Sequence, residues 1–391
     1  MAKINYICGI DIGTHTTRVV VLGYAKGNTT PEIIATGSSE SHGVRLGYIH
    51  NVDYVAGSIK RAVEQAEKAL NTKIHKAYVS IGGIHLGSAI ASGEAVISRA
   101  DQEITQLDIQ KALAHSEENL DCTNKKIIHV IPQEFKLDGK EIHGRPEGMK
   151  GVKLEVKTLF VTCLKQNLED LVTAMTLAGI DIIDIIASPI ASSAVLLSNK
   201  QKAAGCLLLD VGAETVSMAV FENNLLMSIQ VFQIGSMDIT KDVALGFRIP
   251  LEEAENVKIG TITGGDYPKK KVDEIIEARL TDIFELVNNQ LKRLRRNGLL
   301  PAGIILSGGG AHINRIEEIA KKELKLPSRI GPTDTTLNTM FKIRDASWYT
   351  ALGLALSAGD ESIYGGIQQH TSDNIKQVKG FFKTMLSQLL P

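Results

Sequence analysis

Two Asp-x-Gly turns about half a chain apart, each set between apolar segments, constrain this sequence more than any other feature. The first runs Ile7-Cys8-Gly9-Ile10-Asp11-Ile12-Gly13-Thr14 and continues through Thr16-Thr17-Arg18-Val19-Val20-Val21. The second runs Leu207-Leu208-Leu209-Asp210-Val211-Gly212-Ala213-Glu214-Thr215 and returns through Val216-Ser217-Met218-Ala219-Val220. Each reads as a buried strand, a tight turn and a returning strand of mixed pattern. A third signal, Gly303-Ile304-Ile305-Leu306-Ser307-Gly308-Gly309-Gly310-Ala311, is a strand that empties into glycines just before a helix. Glycines let backbone N–H groups approach phosphate, and a helix start adds a favourable dipole. Paired carboxylates beside such turns suit a hydrated Mg²⁺ better than a transition metal. The ordered set implies one nucleotide clamped between two related halves.

Composition sets the remaining bounds. A chain of 391 residues has room for two or more domains and a substantial core. It is 43% hydrophobic and 22% charged, ordinary for a globular protein, and its net charge of −1 gives no global pull towards nucleic acid. Cys8, Cys122, Cys163 and Cys206 are scattered without CxxC or Cys/His spacing, which argues against zinc and a disulfide scaffold and for a reduced cytoplasm. His85, His129, His143 and His312 have no metal-ligand spacing and read as structural. The N-terminus enters a strand at once, so no signal peptide is expected, and no run of about 20 apolar residues predicts a spanning helix.

Along residues 1–83, strands alternate with a helix carrying Val52, Val55, Ile59, Val63, Ala66 and Leu70 at helical spacing. This is the α/β rhythm that builds a sheet with covering helices. Residues 84–163 change texture, with strands at 88–97 and 126–135, a helix at 108–118 and a turn at Asp138-Gly139, and read as an inserted α+β subdomain. Residues 164–198 resume the first core. Residues 199–245 and 304–358 repeat its scheme as a second core, and residues 246–303 read as a helical insertion. Two helices rich in small residues, 189–197 and 347–356, are expected to cross as the hinge between the halves. Leucine at Gly353 would then change nucleotide affinity.

The tail is of a different kind. Residues 359–373 read as a flexible linker. In residues 374–391, Ile375, Val378, Phe381, Phe382, Met385, Leu386, Leu389 and Leu390 share one helical face, while Lys376, Lys379 and Lys383 lie towards the other. Such a helix is too short to span but suits a bilayer interface, where each lysine near an anionic surface adds ~1 kcal/mol. One helix of this kind attaches reversibly, so self-assembly would raise its avidity. A terminal helix folded back on the core is the alternative.

The three glycine turns resemble those of the actin-like ATPase superfamily. Ile131-Pro132-Gln133-Glu134-Phe135-Lys136-Leu137-Asp138-Gly139 and Arg145-Pro146-Glu147-Gly148-Met149-Lys150-Gly151 resemble the distinctive inserted subdomain of its FtsA family. The resemblance covers essentially the whole chain. It implies an actin-like two-lobed α/β fold with duplicated ribonuclease-H-like cores, an FtsA-type insert and a terminal amphipathic helix. It also implies ATP in the cleft, with Asp11 and Asp210 holding Mg²⁺ through water. Asp11, Gly13 and Thr14 match the first phosphate loop; Asp210, Gly212 and Thr215 match the second. Glu255 and Lys258 match a helix that reaches ribose and adenine, although an ordinary i,i+3 ion pair would look the same. Gly308, Gly309 and Gly310 match the adenosine-side turn.

Three departures bear on catalysis. Thr16 stands where the family usually has lysine, and Arg18 on the same strand face is the nearest cation. Ala213 and Glu214 replace two glycines of the second loop, and Glu214 would repel phosphate unless it points away. Ser217 replaces a common aspartate. ATP binding with at most slow hydrolysis is therefore expected, with no catalytic residue identified.

The functional expectation from the resemblance is a division-site protein on the cytoplasmic face of the membrane. It would form actin-like filaments, tether the FtsZ ring and recruit later division proteins. Lys292, Arg293, Arg295 and Arg296 form a basic run that either docks the FtsZ C-terminal peptide or is simply a solvated helix end. A PilM-like ATP-binding component of a pilus machine, taking a short peptide of an inner-membrane partner, is the alternative. A small-molecule kinase of the same fold is a remoter one, since no catalytic base or substrate pocket can be located.

Overall fold

The computed structural model describes residues 6–24, 31–262, 264–331, 345–357 and 368–369. The chain opens with β1 (Tyr6–Ile12), β2 (Thr16–Tyr24), β3 (Pro31–Glu40), the short hairpin β4 (Val44–Arg45) and β5 (Tyr48–Ile49), α1 (Val52–Leu70) and β6 (Lys76–Ile81). The insert follows as β7 (Gly87–Val96), α2 (Gln106–Glu118), β8 (Lys125–Leu137), β9 (Lys140–Ile142) and β10 (Lys153–Leu164). Then come α3 (Lys165–Leu177), β11 (Asp181–Ala187), α4 (Ser188–Leu196) and α5 (Asn199–Ala204). The second half holds β12 (Cys206–Val211), β13 (Val216–Glu222), β14 (Leu225–Phe232), α6 (Ser236–Phe247), α7 (Leu251–Ile259) and α8 (Lys269–Arg293). It ends with β15 (Ile304–Ser307), α9 (Ile316–Leu324), β16 (Ser328–Ile330), α10 (Tyr349–Leu356) and the two-residue β17 (Gln368–Gln369).

The duplication expected from the paired turns is written in the strand order. The first sheet runs β11-β6-β1-β2-β3, and one end of the second runs β16-β15-β12-β13-β14. In both, a central strand pairs in parallel on one side and forms an antiparallel hairpin on the other. Those central strands, β1 and β12, carry Asp11 and Asp210 near their C-terminal ends, the edge where open α/β sheets bind ligands. Nearly continuous apolar burial along β12 (Cys206, Leu207, Leu208, Leu209 and Val211) is what a strand covered on both faces requires.

Helix α1 is set by an Asn51 cap whose Oδ1 accepts from the Tyr54 N–H at 3.0 Å, and it buries Val55, Ile59, Ala62, Val63 and Ala66. Helices α4 and α10 cross tightly between the two sheets. A Cβ at Gly353 would sit 1.9 Å from the Ala191 carbonyl oxygen, so only glycine permits this approach. This contact agrees with the expected crossing of the two small-residue helices.

The insert holds more strands than its sequence pattern conveyed. It has four strands rather than two, because β10 runs straight into α3 without a turn signal, and it packs its own core of Ile104, Leu113, Val130, Leu154 and Phe160. It leaves and re-enters the first half, yet its sheet joins the edge of the second through β7 and β14. The Ile229 N–H donates to Ser88 Oγ at 2.8 Å across that junction. The expected glycine-to-helix step after β15 is a 3-10 turn, Gly309–His312, with α9 starting four residues later. The terminal helix with its apolar and lysine faces, and all of the linker but Gln368–Gln369, lie outside the described residues. Those two glutamines pair with Val130 and His129 of β8. Among the described residues no helix is long and apolar enough to cross a membrane.

Candidate functional site: the cleft between the two sheets

The two Asp-x-Gly turns and the glycine turn after β15 line a single cavity of about 810 Å³. Asp11, Gly13, Thr14, Thr16, Arg18, Asp210, Gly212, Ala213, Thr215, Glu255, Lys258, Gly308, Gly309 and Gly310 all face it. Glu214 is the exception. Its Oε2 accepts from the Leu46 N–H at 2.6 Å, which turns the carboxylate away from the cavity. Glu214 thus meets the condition set by the sequence, that its carboxylate point away from a phosphate at the second turn.

The turns are built alike. The Gly13 N–H donates to the Thr16 carbonyl at 3.2 Å, and the Gly212 N–H to the Thr215 carbonyl at 2.9 Å. Asp11 accepts from Ser80 Oγ at 2.7 Å, and that same oxygen accepts from the Ile12 N–H at 3.3 Å. Burial raises the Asp11 carboxyl above its usual range, opposed by the Ser80 bond and the Arg18 charge. Asp210 is pushed up to about 7, first by burial and then by the nearby Asp11 charge, with Arg18 again opposing. Two desolvated carboxylates that repel each other form a site short of positive charge. Gly308, at φ +85°, completes this floor, because a Cβ there would stand 2.5 Å from Asp210 Oδ1.

Arg18 lies opposite Asp11 in the β1–β2 register, and its guanidinium sits 5.7 Å from the centroid of the Trp348 ring. At the other end, Lys258 Nζ donates to the Ser236 carbonyl, Thr240 Oγ1 and Glu255 Oε2 at 3.2, 2.8 and 2.7 Å. The Glu255–Lys258 ion pair is real, and it stands in the cavity wall, with the ammonium drawn towards α6. Ile259, Ile262, Val272, Ile276 and Ile313 give this end an apolar lining suited to a flat base.

Sequence reasoning missed Ser80, Gly82, Gly83, Gly47 and Ser188, all of which line the cavity. Residues 77–83 carry the signal, since a short apolar strand ends there in Ser-Ile-Gly-Gly much as β15 ends in Ser-Gly-Gly-Gly. Of the histidines, His129 is buried, accepts through Nε2 from the Ala187 N–H at 3.1 Å, and is held down to about 3 by burial. His312, by contrast, lines the cavity and sits 3.3 Å from Asp345 Oδ1, and His143 is exposed. In the basic run, Arg296 is bonded through Nε and Nη2 to Glu222 at 2.9 and 2.8 Å, while Lys292, Arg293 and Arg295 are exposed. Among the described residues, no group of three or more His, Cys, Asp or Glu side chains forms a metal cage.

A duplicated sheet with Asp turns facing across a cleft defines an actin-like two-lobed protein, and solved structures agree on the fold. The PilM-PilN type IV pilus biogenesis complex matches with a TM-score of 0.65 at 16% identity, over 90% of this chain and 98% of that one. MreB5 of Spiroplasma citri bound to ADP matches with a TM-score of 0.52 at 13% identity, over 93% and 98%. The family model for "Cell division protein FtsA" matches residues 207–353, and that for the "SHS2 domain inserted in FTSA" matches residues 83–162. The cell-division protein FtsA of Bacillus subtilis (strain 168) is 30% identical over 369 residues, covering 88% of this chain and 81% of that protein. The chain belongs to the FtsA family of actin-like cell-division proteins.

Proposed function

We propose that this chain binds ATP with Mg²⁺ between its lobes, assembles with further copies of itself, and tethers FtsZ to the cytoplasmic face of the membrane, where later division proteins join. The observation that carries the nucleotide part is the convergence of both Asp turns and the Gly308–Gly310 turn on one cavity. The raised Asp210 carboxyl beside Asp11 fits a divalent cation, which would relieve their repulsion. Asp11 and Asp210 would hold that cation, and its chemistry would be to neutralise phosphate charge. Backbone N–H groups of the two turns would receive phosphate oxygens, Arg18 would supply the cation that Thr16 does not, and Glu255 would take ribose hydroxyls. A structure of the MreB fold containing ADP supports a nucleotide in this cleft.

The membrane and FtsZ parts rest on family membership and on the amphipathic sequence of residues 374–391. For FtsZ docking, the exposed Lys292, Arg293 and Arg295 are the better part of the basic run, because Arg296 is already paired with Glu222. The experiment is co-pelleting of purified FtsZ with anionic liposomes, ATP and this protein, beside a chain ending at Asp373. FtsZ that pellets only with the full chain supports the tether. Protein on the membrane with FtsZ left in solution defeats it and favours a pilus-machine role.

A further inference from the structure

Outside the cavity, one contact joins the two lobes directly at its phosphate end. Glu214, on the second turn, reaches 168 positions back along the chain to the Leu46 N–H. Leu46 and Gly47 form the tip of the β4–β5 hairpin, both with positive φ (53° and 74°), the geometry of a tight two-residue hairpin turn. That tip is not a loose loop. A Cβ at Gly47 would sit 2.5 Å from the Gly83 Cα, so the tip is pressed on the backbone beyond β6, and Gly47, Gly82 and Gly83 all line the cavity.

The other end of the contact is equally fixed. The Ser236 N–H donates to the Gly212 carbonyl at 2.9 Å and the Met237 N–H to the Ala213 carbonyl at 2.8 Å, tying the turn to the start of α6. A carboxylate accepting from a backbone N–H is a charge-assisted bond, stronger than a neutral one. It therefore links two rigid pieces that belong to opposite lobes.

We infer that Glu214 is an interlobe latch, a positioning residue that holds the β4–β5 hairpin tip of the first lobe on the second turn and so keeps the phosphate end of the cleft closed. This deepens the nucleotide reading above and rests on it only for its effect on ligand. Glu214 touches no phosphate; it sets how readily the lobes part and hence how fast a bound nucleotide leaves.

The test uses the full-length protein with spin labels at Lys60→Cys on α1 and Lys321→Cys on α9, both exposed, in a Cys122→Ser background. Cys8, Cys163 and Cys206 are buried and stay unlabelled. Pulsed dipolar spectroscopy on nucleotide-free protein should give a narrow interlobe distance for wild type and Glu214→Gln, whose amide oxygen still accepts. The distribution should be longer and broader for Glu214→Ala. An unchanged distribution in Glu214→Ala overturns the latch. With a fluorescent ATP analogue, Glu214→Ala should release nucleotide about tenfold faster than wild type. Slower release would overturn the inference in favour of plain charge repulsion. If no variant binds the analogue, wild type included, the nucleotide reading fails and the distance measurement still decides the latch.

Discussion

The two Asp turns share a backbone and differ in what steadies their carboxylates. Asp11 accepts a hydroxyl bond from Ser80 and lies opposite Arg18 on its hairpin. Asp210 lies opposite Ser217, and among the described residues no hydrogen-bond donor reaches it. Its turn is steadied from behind instead, by two N–H groups at the start of α6 and by the Glu214 bond to the other lobe. Duplication thus supplied two equivalent frames, and different neighbours made one carboxylate anchored and the other poorly satisfied. A partly desolvated carboxylate crowded by a second one is the one most relieved by an incoming cation.

The sharpest way to break this contrast is to neutralise each aspartate in turn. Asp210→Asn and Asp11→Asn should both weaken Mg²⁺-dependent ATP binding, on the order of 100-fold, measured by calorimetry with and without the metal. Equal affinities for either variant and wild type would remove that carboxylate from the cation site.

The second turn also depends on a close approach that the first lacks. A Cβ at Gly235 would lie 2.4 Å from the Ala213 carbonyl oxygen and 2.7 Å from the Glu214 nitrogen. Gly235→Ala should therefore cost about 3 kcal/mol in urea unfolding and speed hydrogen exchange at residues 212–215, leaving residues 13–16 protected. Equal exchange at both turns would show that they relax together.

Without metal or nucleotide, the difference should reappear as a pH slope. Asp210 titrates near 7 when folded and near its usual 3.8 when unfolded, so between those values the folded chain holds more protons. Its contribution to stability is then full below pH ~4, falls as pH rises through that window, and levels off above it. Asp210→Asn should flatten the slope and raise stability at pH 8 by about 2 kcal/mol. Asp11→Asn should gain less, because it weakens a charge-assisted bond from Ser80. A slope that persists in Asp210→Asn would place its origin in another group.

The cleft was largely legible in the sequence because its determinants are local. An Asp, a Gly and a returning apolar strand fit within about ten residues, and each such cluster reports its own turn. The identity of the partners was not legible, since it depends on what the topology brings alongside. Ser80 lies 69 positions from Asp11, and Leu46 lies 168 from Glu214. The charge of Glu214 looked adverse when its neighbours in sequence were the only ones known. Likewise β10 was hidden because Leu164 passes directly from strand to helix, with no Gly, Pro or Asn at the junction. The basic run was visible as four like charges, whereas the pairing of Arg296 with Glu222 needed the fold.

The smallest expected effect tests the anchor of the first turn. Ser80→Ala removes a hydroxyl that donates to Asp11 and accepts from the Ile12 N–H, leaving both on the cleft floor without that partner. Stability should drop by about 1 kcal/mol, and ATP affinity by about threefold, because water in the cleft can replace part of what Asp11 loses, although Ser80 itself is buried. The bond also lowers the Asp11 carboxyl, so its loss should push that group further up and make the first turn resemble the second. Ser80→Thr, which keeps the hydroxyl, should restore both quantities. If Ser80→Ala matches wild type in stability and affinity, strand pairing alone holds the first turn, and the contrast between the two aspartates rests on Arg18 rather than on a hydroxyl.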